Sequence, residues 1–215
     1  MSYVNPNIFE VDFANLTDWT DGDANGAVSE IDPAGQLHLD CTSMSADGWA
    51  VRSKDLGTVG TGNYYVEIKF KGDVWGGRAG NAFGIYIKTS GETCLSLPRI
   101  GNGFVTPEGD GIIVIDSTAT FNLVYEHTWD NDWHTVVFYV HNSQTDMDIW
   151  IDKDPSETAD VTDADCSYPT VEDGLIQVKA DGELAGNGEY HIDYMYIGDA
   201  LEEATTNATF FGSNF

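Results

Sequence analysis

The stretch "WHTVVFYVHNSQTDMDIWID", residues 133–152, changes character at every second position on either side of a short polar run. In its first half His134, Val136, Phe138 and Val140 fall on one side of an extended chain, with Trp133, Thr135, Val137, Tyr139 and His141 on the other. In its second half Met147, Ile149 and Ile151 share a side, opposite Asp146, Asp148, Trp150 and Asp152. A period of two in β-branched and aromatic residues marks strands, and the polar "HNSQTD" between them marks an exposed turn. The stretch therefore predicts a β-hairpin whose Met-Ile-Ile side packs inward while an acidic side faces out.

The same period recurs along the chain. "IFEVDF" (8–13), "AVSEID" (27–32), "QLHLDC" (36–41), "WAVRSK" (49–54), "GNYYVEIKFKG" (62–72), "NAFGIYIKT" (81–89), "GIIVIDS" (111–117), "FNLVYEH" (121–127), "GLIQVKA" (174–180) and "EYHIDYMYIG" (189–198) bring the expected strands to about a dozen. Turn formers such as "DGDANG", "DPAG", "PEGDG" and "DGELAGNG" separate them. A short helix is expected only in "DALEEATT" (199–206). Strands of this number and spacing, without an internal repeat, predict an all-β, two-sheet antiparallel β-sandwich. We expect an N-terminal arm over 1–7, the sandwich over 8–200 and a C-terminal tail over 201–215.

Composition bounds the partners. The 36 acidic residues against 9 Lys+Arg give a net charge of -27, which repels nucleic acid and anionic lipid. Calcium sites, high-salt adaptation and colloidal solubility compete to explain the acidity. No apolar run approaches the length of a membrane span and no secretory signal is visible, so membrane insertion is not expected. Cys41, Cys94 and Cys166 show no C-x-x-C spacing, which argues against a disulfide framework or a zinc knuckle.

"FEVDFANLTDWT", "AVSEIDPAGQLHLDC" followed by "WAVRSK", the 133–152 hairpin and the closing "YHIDYMYIGDAL" together resemble the concanavalin A-like lectin/glucanase jelly roll. The resemblance runs from about residue 8 to residue 200 and rests on strand order and short apolar signatures. It implies that the final strand pairs with the first. It also implies a structural Ca²⁺ where they meet, for which Asp12 and Asp193 are the matching acids. Glucanases of this superfamily carry E-x-D-x-E on a strand, because two carboxyl groups must flank the glycosidic bond. The chain contains no such motif, and "DMDIWID" (146–152) offers only aspartates with Trp150 among them, so we expect no glycan-cleaving activity.

Two readings of the outward hairpin face remain: a solvated strand surface, or a sugar site. In the second, Trp150, Tyr139 and Trp133 supply rings for the apolar face of a pyranose, while Asp148 and Asp152 accept hydrogen bonds from its hydroxyls. Trp75, flanked by glycines in "GDVWGGRAGN", and its neighbour Arg78 form a second candidate for ligand contact. The acidic run 152–166 lacks the order of an EF-hand loop. Phe210, Phe211 and Phe215 at the end of the tail suggest docking, either on their own domain or on a neighbouring subunit. These features lead us to expect a lectin-like, glycan-binding surface protein. It would be a homo-oligomer or part of an assembly through its terminal arms, on an extracellular surface or virion such as a capsid decoration, turret or tail-fibre head. The alternative is a secreted carbohydrate-active enzyme or its binding module.

Overall fold

The computed structural model describes residues 2–55, 63–75, 83–88, 94–105, 108–116, 118, 120–141, 145–166, 175–182 and 188–201. Among them there is no helix, and antiparallel strands form two large sheets. One has the order β14 (Val161–Asp165), β13 (Asp146–Ile151), β12 (His134–His141), β7 (Tyr64–Val74), β16 (Glu189–Gly198), β5 (Leu37–Asp40) and β4 (Val28–Ile31). Its eighth strand, β2 (Phe9–Val11), pairs with β16 beyond the end of β5, so the last long strand meets the first as expected. The other sheet runs β11 (Phe121–Glu126), β10 (Glu108–Ile115), β9 (Cys94–Val105), β8 (Phe83–Lys88), β15 (Leu175–Gly182), β6 (Gly48–Asp55) and β3 (Thr20–Asp21). A short ribbon joins β1 (Val4–Asn5) to β17 (Ala200–Leu201).

The two sheets enclose one core. Val66, Ile68, Phe70, Val136, Phe138, Val140, Met147, Ile149, Ile192 and Met195 from the eight-stranded sheet meet Ala50, Ile100, Ile112, Val114 and Ala180 from the other. The alternation read from 133–152 is thus realised: β12 pairs with β13 in register Val136↔Ile151 through His141↔Asp146, and the Met-Ile-Ile side packs inward. Cys41 and Cys166 are buried, and burial, followed by the charges of Asp146 and Asp165, pushes the Cys166 thiol up to about 12.

The structure departs from the sequence expectations at four places. The 12-residue strand β9 is absent from the expected strands and runs through Pro98, Gly101 and Gly103, residues that disfavour strands. Its pairing with β8 skips from Ser96 to Arg99, so Pro98 sits at a bulge where its missing N–H interrupts no ladder bond. "PEGDG" is not a turn but opens β10, with Gly109 and Gly111 at positive φ across a register shift. The acidic run 152–166 contains a strand, β14. The described part of the expected helix, 199–201, lies in and beside β17, and 202–206 lies outside the described residues.

The N-terminal arm is not free. Glu67, on the outer face of β7, is wholly buried. Its Oε2 accepts hydrogen bonds from the backbone N–H groups of Tyr3 (2.8 Å) and Val4 (2.9 Å) and from the Ser2 hydroxyl (3.3 Å), and its Oε1 from the Tyr194 hydroxyl (2.8 Å). A buried carboxylate is tolerated only with such a full set of donors. The arm also crosses β16 so closely that a Cβ on Gly198 would stand 1.7 Å from the Asn5 carbonyl oxygen, which only glycine permits. Removing the acceptor with Glu67→Ala should release the arm and lower stability by about 2–4 kcal/mol in denaturant unfolding. Acrylamide quenching of tryptophan fluorescence should increase, and the increment should vanish in a Trp150→Phe background.

Candidate functional site

The outer face of the eight-stranded sheet carries most of the residues singled out in the sequence, and its register arranges them in rows. His141 pairs with Asp146, which pairs in turn with Asp165. Asp148, Tyr139 and Tyr65 form the next row. The third contains Trp150, Val137, Glu67 and Tyr196, and the fourth Thr135, Lys69 and Tyr194. At the far end Lys71, His191, His38 and Glu30 follow one another across β7, β16, β5 and β4. Residues two apart on a strand point the same way, and on β16, where His191 and Tyr194 are three apart, the register shift between Ile192 and Tyr194 keeps both in these rows.

The third row is covered. Trp150 is 7% exposed and packs with Val137 and Val4, flanked by Tyr3, Ala159 and Leu201. Its indole N–H donates to the Glu157 carbonyl at 2.9 Å. The expectation that Trp150 presents an open ring to a sugar is therefore corrected: the arm that Glu67 holds and the loop after β13 occupy both sides. Burial and the adjacent Glu67 carboxylate push the Tyr194 phenol up, so its proton stays on the oxygen that donates to Glu67.

Asp152 also leaves the outward ladder. Its φ of 54° turns it to the end of the sandwich. There Oδ1 accepts the Thr135 N–H at 2.7 Å, and Oδ2 lies 2.7 Å from His134 Nδ1. Asp130 Oδ1 stands 3.1 Å from His134 Nε2, so the imidazole is clasped between two carboxylates beside the rings of Trp129 and Phe70. The hydrogen bond to Asp152, opposed by burial, raises the His134 pKa above the ordinary imidazole value. Burial works to raise the Asp152 carboxyl as well, but the His134 and Thr135 hydrogen bonds outweigh it and hold it below the usual range. This is a structural clasp closing the hairpin.

Tyr139 and Asp148 come together as expected and gain neighbours that the sequence did not single out. The Tyr139 ring stacks on Tyr65 at 4.4 Å and on His141 at 5.3 Å, and its hydroxyl accepts from the Asn63 amide at 3.0 Å. Asp148 Oδ1 lies 3.2 Å from His141 Nε2 and accepts the Asp163 N–H at 2.9 Å. Tyr65, Tyr139, His141 and Asp148 are all only partly buried, forming a half-open aromatic row edged by acids. Burial, then the Tyr139 and Asp148 neighbours, raises the Tyr65 pKa, so this phenol keeps its proton. Tyr65 was legible as an outward residue of its strand, yet only the register sets it against Tyr139.

Trp133 lies beneath two cations, with Lys69 Nζ 5.2 Å and Lys71 Nζ 5.7 Å from its ring centroid. Trp75 is not an unsupported loop residue. Its ring packs on the core against Trp129 and Tyr190, donates to the Asp130 carbonyl at 3.0 Å, and lies where a Cβ on Gly72 would meet it at 2.5 Å. Arg78 lies outside the described residues. Of the two expected calcium ligands, Asp193 is bonded to the Lys69 amine at 2.6 Å and Asp12 accepts the Ala14 N–H at 3.1 Å. In the acidic run, Asp154 and Asp160 serve the backbone N–H groups of Ser156 and Ile151.

No protein-family model and no curated protein sequence matches the chain. Solved structures do match in fold. A carbohydrate esterase from the Shiga toxin-encoding bacteriophage phi24B aligns with a TM-score of 0.62 at 13% identity, over 90% of this chain and 98% of that one. A β-1,3-glucanase from Mycobacterium marinum aligns with a TM-score of 0.62 at 13% identity, over 90% and 99%. The Emp47p carbohydrate recognition domain aligns with a TM-score of 0.55 at 12% identity, over 92% and 97%. The shared architecture is a two-sheet jelly-roll β-sandwich, present in proteins named as an esterase, a glucanase and a carbohydrate recognition domain.

The clasp around His134 has a pH signature. The raised imidazole contributes stability that is full below its unfolded value of about 6.5 and is lost as pH rises through the folded value. The depressed Asp152 contributes stability that is present above its unfolded value of 3.8 and is lost as pH falls through the folded one. The gap in melting temperature between the wild type and His134→Gln should therefore be widest from about pH 4.5 to 6.5 and narrow above it.

Proposed function

We propose that the chain is a lectin-like glycan-binding protein that recognises neutral saccharides and does not cleave them. The observation that carries this reading is the aromatic row Tyr65–Tyr139–His141 beside Asp148 on the outer sheet face. Stacked rings lose little freedom when a ligand arrives, and they offer apolar edges and faces to sugar C–H groups. Asp148, Asn63 and the phenol hydroxyls supply the hydrogen-bonding groups that saccharide hydroxyls require. The charge of -27 disfavours uronates and sulfated glycans, which narrows the ligand class to neutral sugars. The fold shared with the Emp47p carbohydrate recognition domain agrees with this reading.

The lack of E-x-D-x-E anywhere in the sequence supports recognition over cleavage, although two neighbours are named as a glucanase and an esterase. We place the protein on an extracellular surface or virion; the bacteriophage origin of one fold neighbour agrees with this. With residues 2–5 docked on their own sheet, assembly contacts fall to the C-terminal segment carrying Phe210, Phe211 and Phe215. A fall in light-scattering mass on deleting residues 205–215 is the result expected.

A glycan array of neutral oligosaccharides checks the binding function directly. The intact protein should bind, and Tyr139→Ala and Tyr65→Ala should each weaken binding about tenfold while leaving the fold intact by circular dichroism. No reducing ends should appear from β-1,3-glucan and no acetate from acetylated sugars. An array without signal, or Tyr139→Ala binding like the wild type, would refute the reading.

A further inference from the structure

We propose that Glu30, Asp32 and His38 form a binding site for one divalent transition cation of the Zn²⁺ type, at the edge of the eight-stranded sheet away from the aromatic row. Glu30 and Asp32 lie two residues apart at the end of β4, and Glu30 is the direct cross-strand partner of His38 on β5. Strand geometry thus aims both carboxylates and the imidazole at one point, and each offers a ligand atom within 4.8 Å of the others.

The state of His38 shows what is missing there. The residue is 9% exposed, and its Nε2 lies 3.0 Å from Glu189 Oε1. A carboxylate only accepts, so Nε2 carries a proton, and in the tautomer with that single proton Nδ1 presents a lone pair. That Nδ1 is buried with no hydrogen-bond partner, and it faces Glu30 Oε1 at 4.0 Å. Three acceptors therefore converge with no donor between them. A proton on Nδ1 would not relieve this, because 4.0 Å is too long for a hydrogen bond. A cation would: Zn–N and Zn–O bonds of about 2.0–2.2 Å at a tetrahedral angle set the two ligand atoms about 3.4 Å apart, so closing the observed gap by about half an ångström seats the ion.

The surroundings are built for the same task. Glu189 fixes the ring from behind, the carboxylate–histidine–metal arrangement that orients a ligand and raises its basicity. The His191 ring stacks on His38 at 4.5 Å with 9° between planes. Both of its nitrogens have acceptors, Asp73 at 3.0 Å and the Asp32 carbonyl at 3.1 Å, so His191 acts as a wall and tethers the segment bearing Asp32. Glu30 and Asp32 are exposed, which leaves a route for the ion and room for water to complete its shell. One imidazole with two carboxylates suits a borderline ion such as Zn²⁺ over Ca²⁺ or Mg²⁺, which take oxygen alone.

The inference is independent of the glycan reading. Isothermal titration of the full chain, stripped with EDTA and dialysed at neutral pH, should show one equivalent of Zn²⁺ bound and none of Ca²⁺ at this site. His38→Gln should weaken Zn²⁺ binding at least a hundredfold, Glu30→Gln and Asp32→Asn about tenfold each, and Glu189→Gln tenfold to a hundredfold by loss of orientation. His141→Gln, which alters the other His/Asp cluster (His141, Asp146 and Asp163), should leave binding unchanged. In ¹⁵N spectra of the histidine rings, Zn²⁺ should shift His38 Nδ1. The absence of stoichiometric Zn²⁺ binding, wild-type affinity in Glu30→Gln, or loss of binding in His141→Gln would overturn the proposal.

Discussion

A carboxylate with no exposed surface organises the outer face of this sandwich. Glu67 sits mid-strand on the solvent side of β7, and it stays there because four donors, three of them from residues 2–4, complete its hydrogen bonding. Burying an ionised carboxyl without partners is prohibitive, so the position of the arm and the burial of Glu67 require each other. Together they cover Trp150 and Val137 and build a small second core on what alternation marks as the wet side.

This cover divides the face chemically. On the β13 side lies a row of stacked rings with acids at its edge; on the β4 side lies a row of imidazoles, lysines and carboxylates. The first offers apolar rings and hydrogen-bonding groups suited to an uncharged polyol. The second offers paired donors and acceptors, with Lys69 and Lys71 already bound to Asp193 and Asp73. In so acidic a chain these two lysines, held over the Trp133 ring, mark where positive charge is concentrated on this face.

Much of the fold was legible because its signal is local. The 133–152 hairpin and the inward packing of Met147, Ile149 and Ile151 follow from a period of two. What escaped was strand built from atypical residues: β9 absorbs Pro98 at a bulge, β10 opens through two glycines at positive φ, and β14 hides in an aspartate run. At the site, Tyr139 and Asp148 were legible as outward neighbours, whereas Tyr65 needed the β7–β12 register to join them. Asp152 was misplaced because a single positive φ ends the alternation it seemed to continue. Trp75, read as a loop contact, is drawn inward by the space that Gly72 leaves.

The sequence by itself determined the all-β class, the two-faced strands, the acidic surface and the absence of the glucanase motif, since each is a property of residue type and near-neighbour spacing. Only the tertiary structure decided which outward residues remain open. Glu67 lies more than sixty positions from the arm it binds, and His38 lies 151 from Glu189. Contacts over such separations are fixed by sheet order and register, which side-chain periodicity within one strand does not encode.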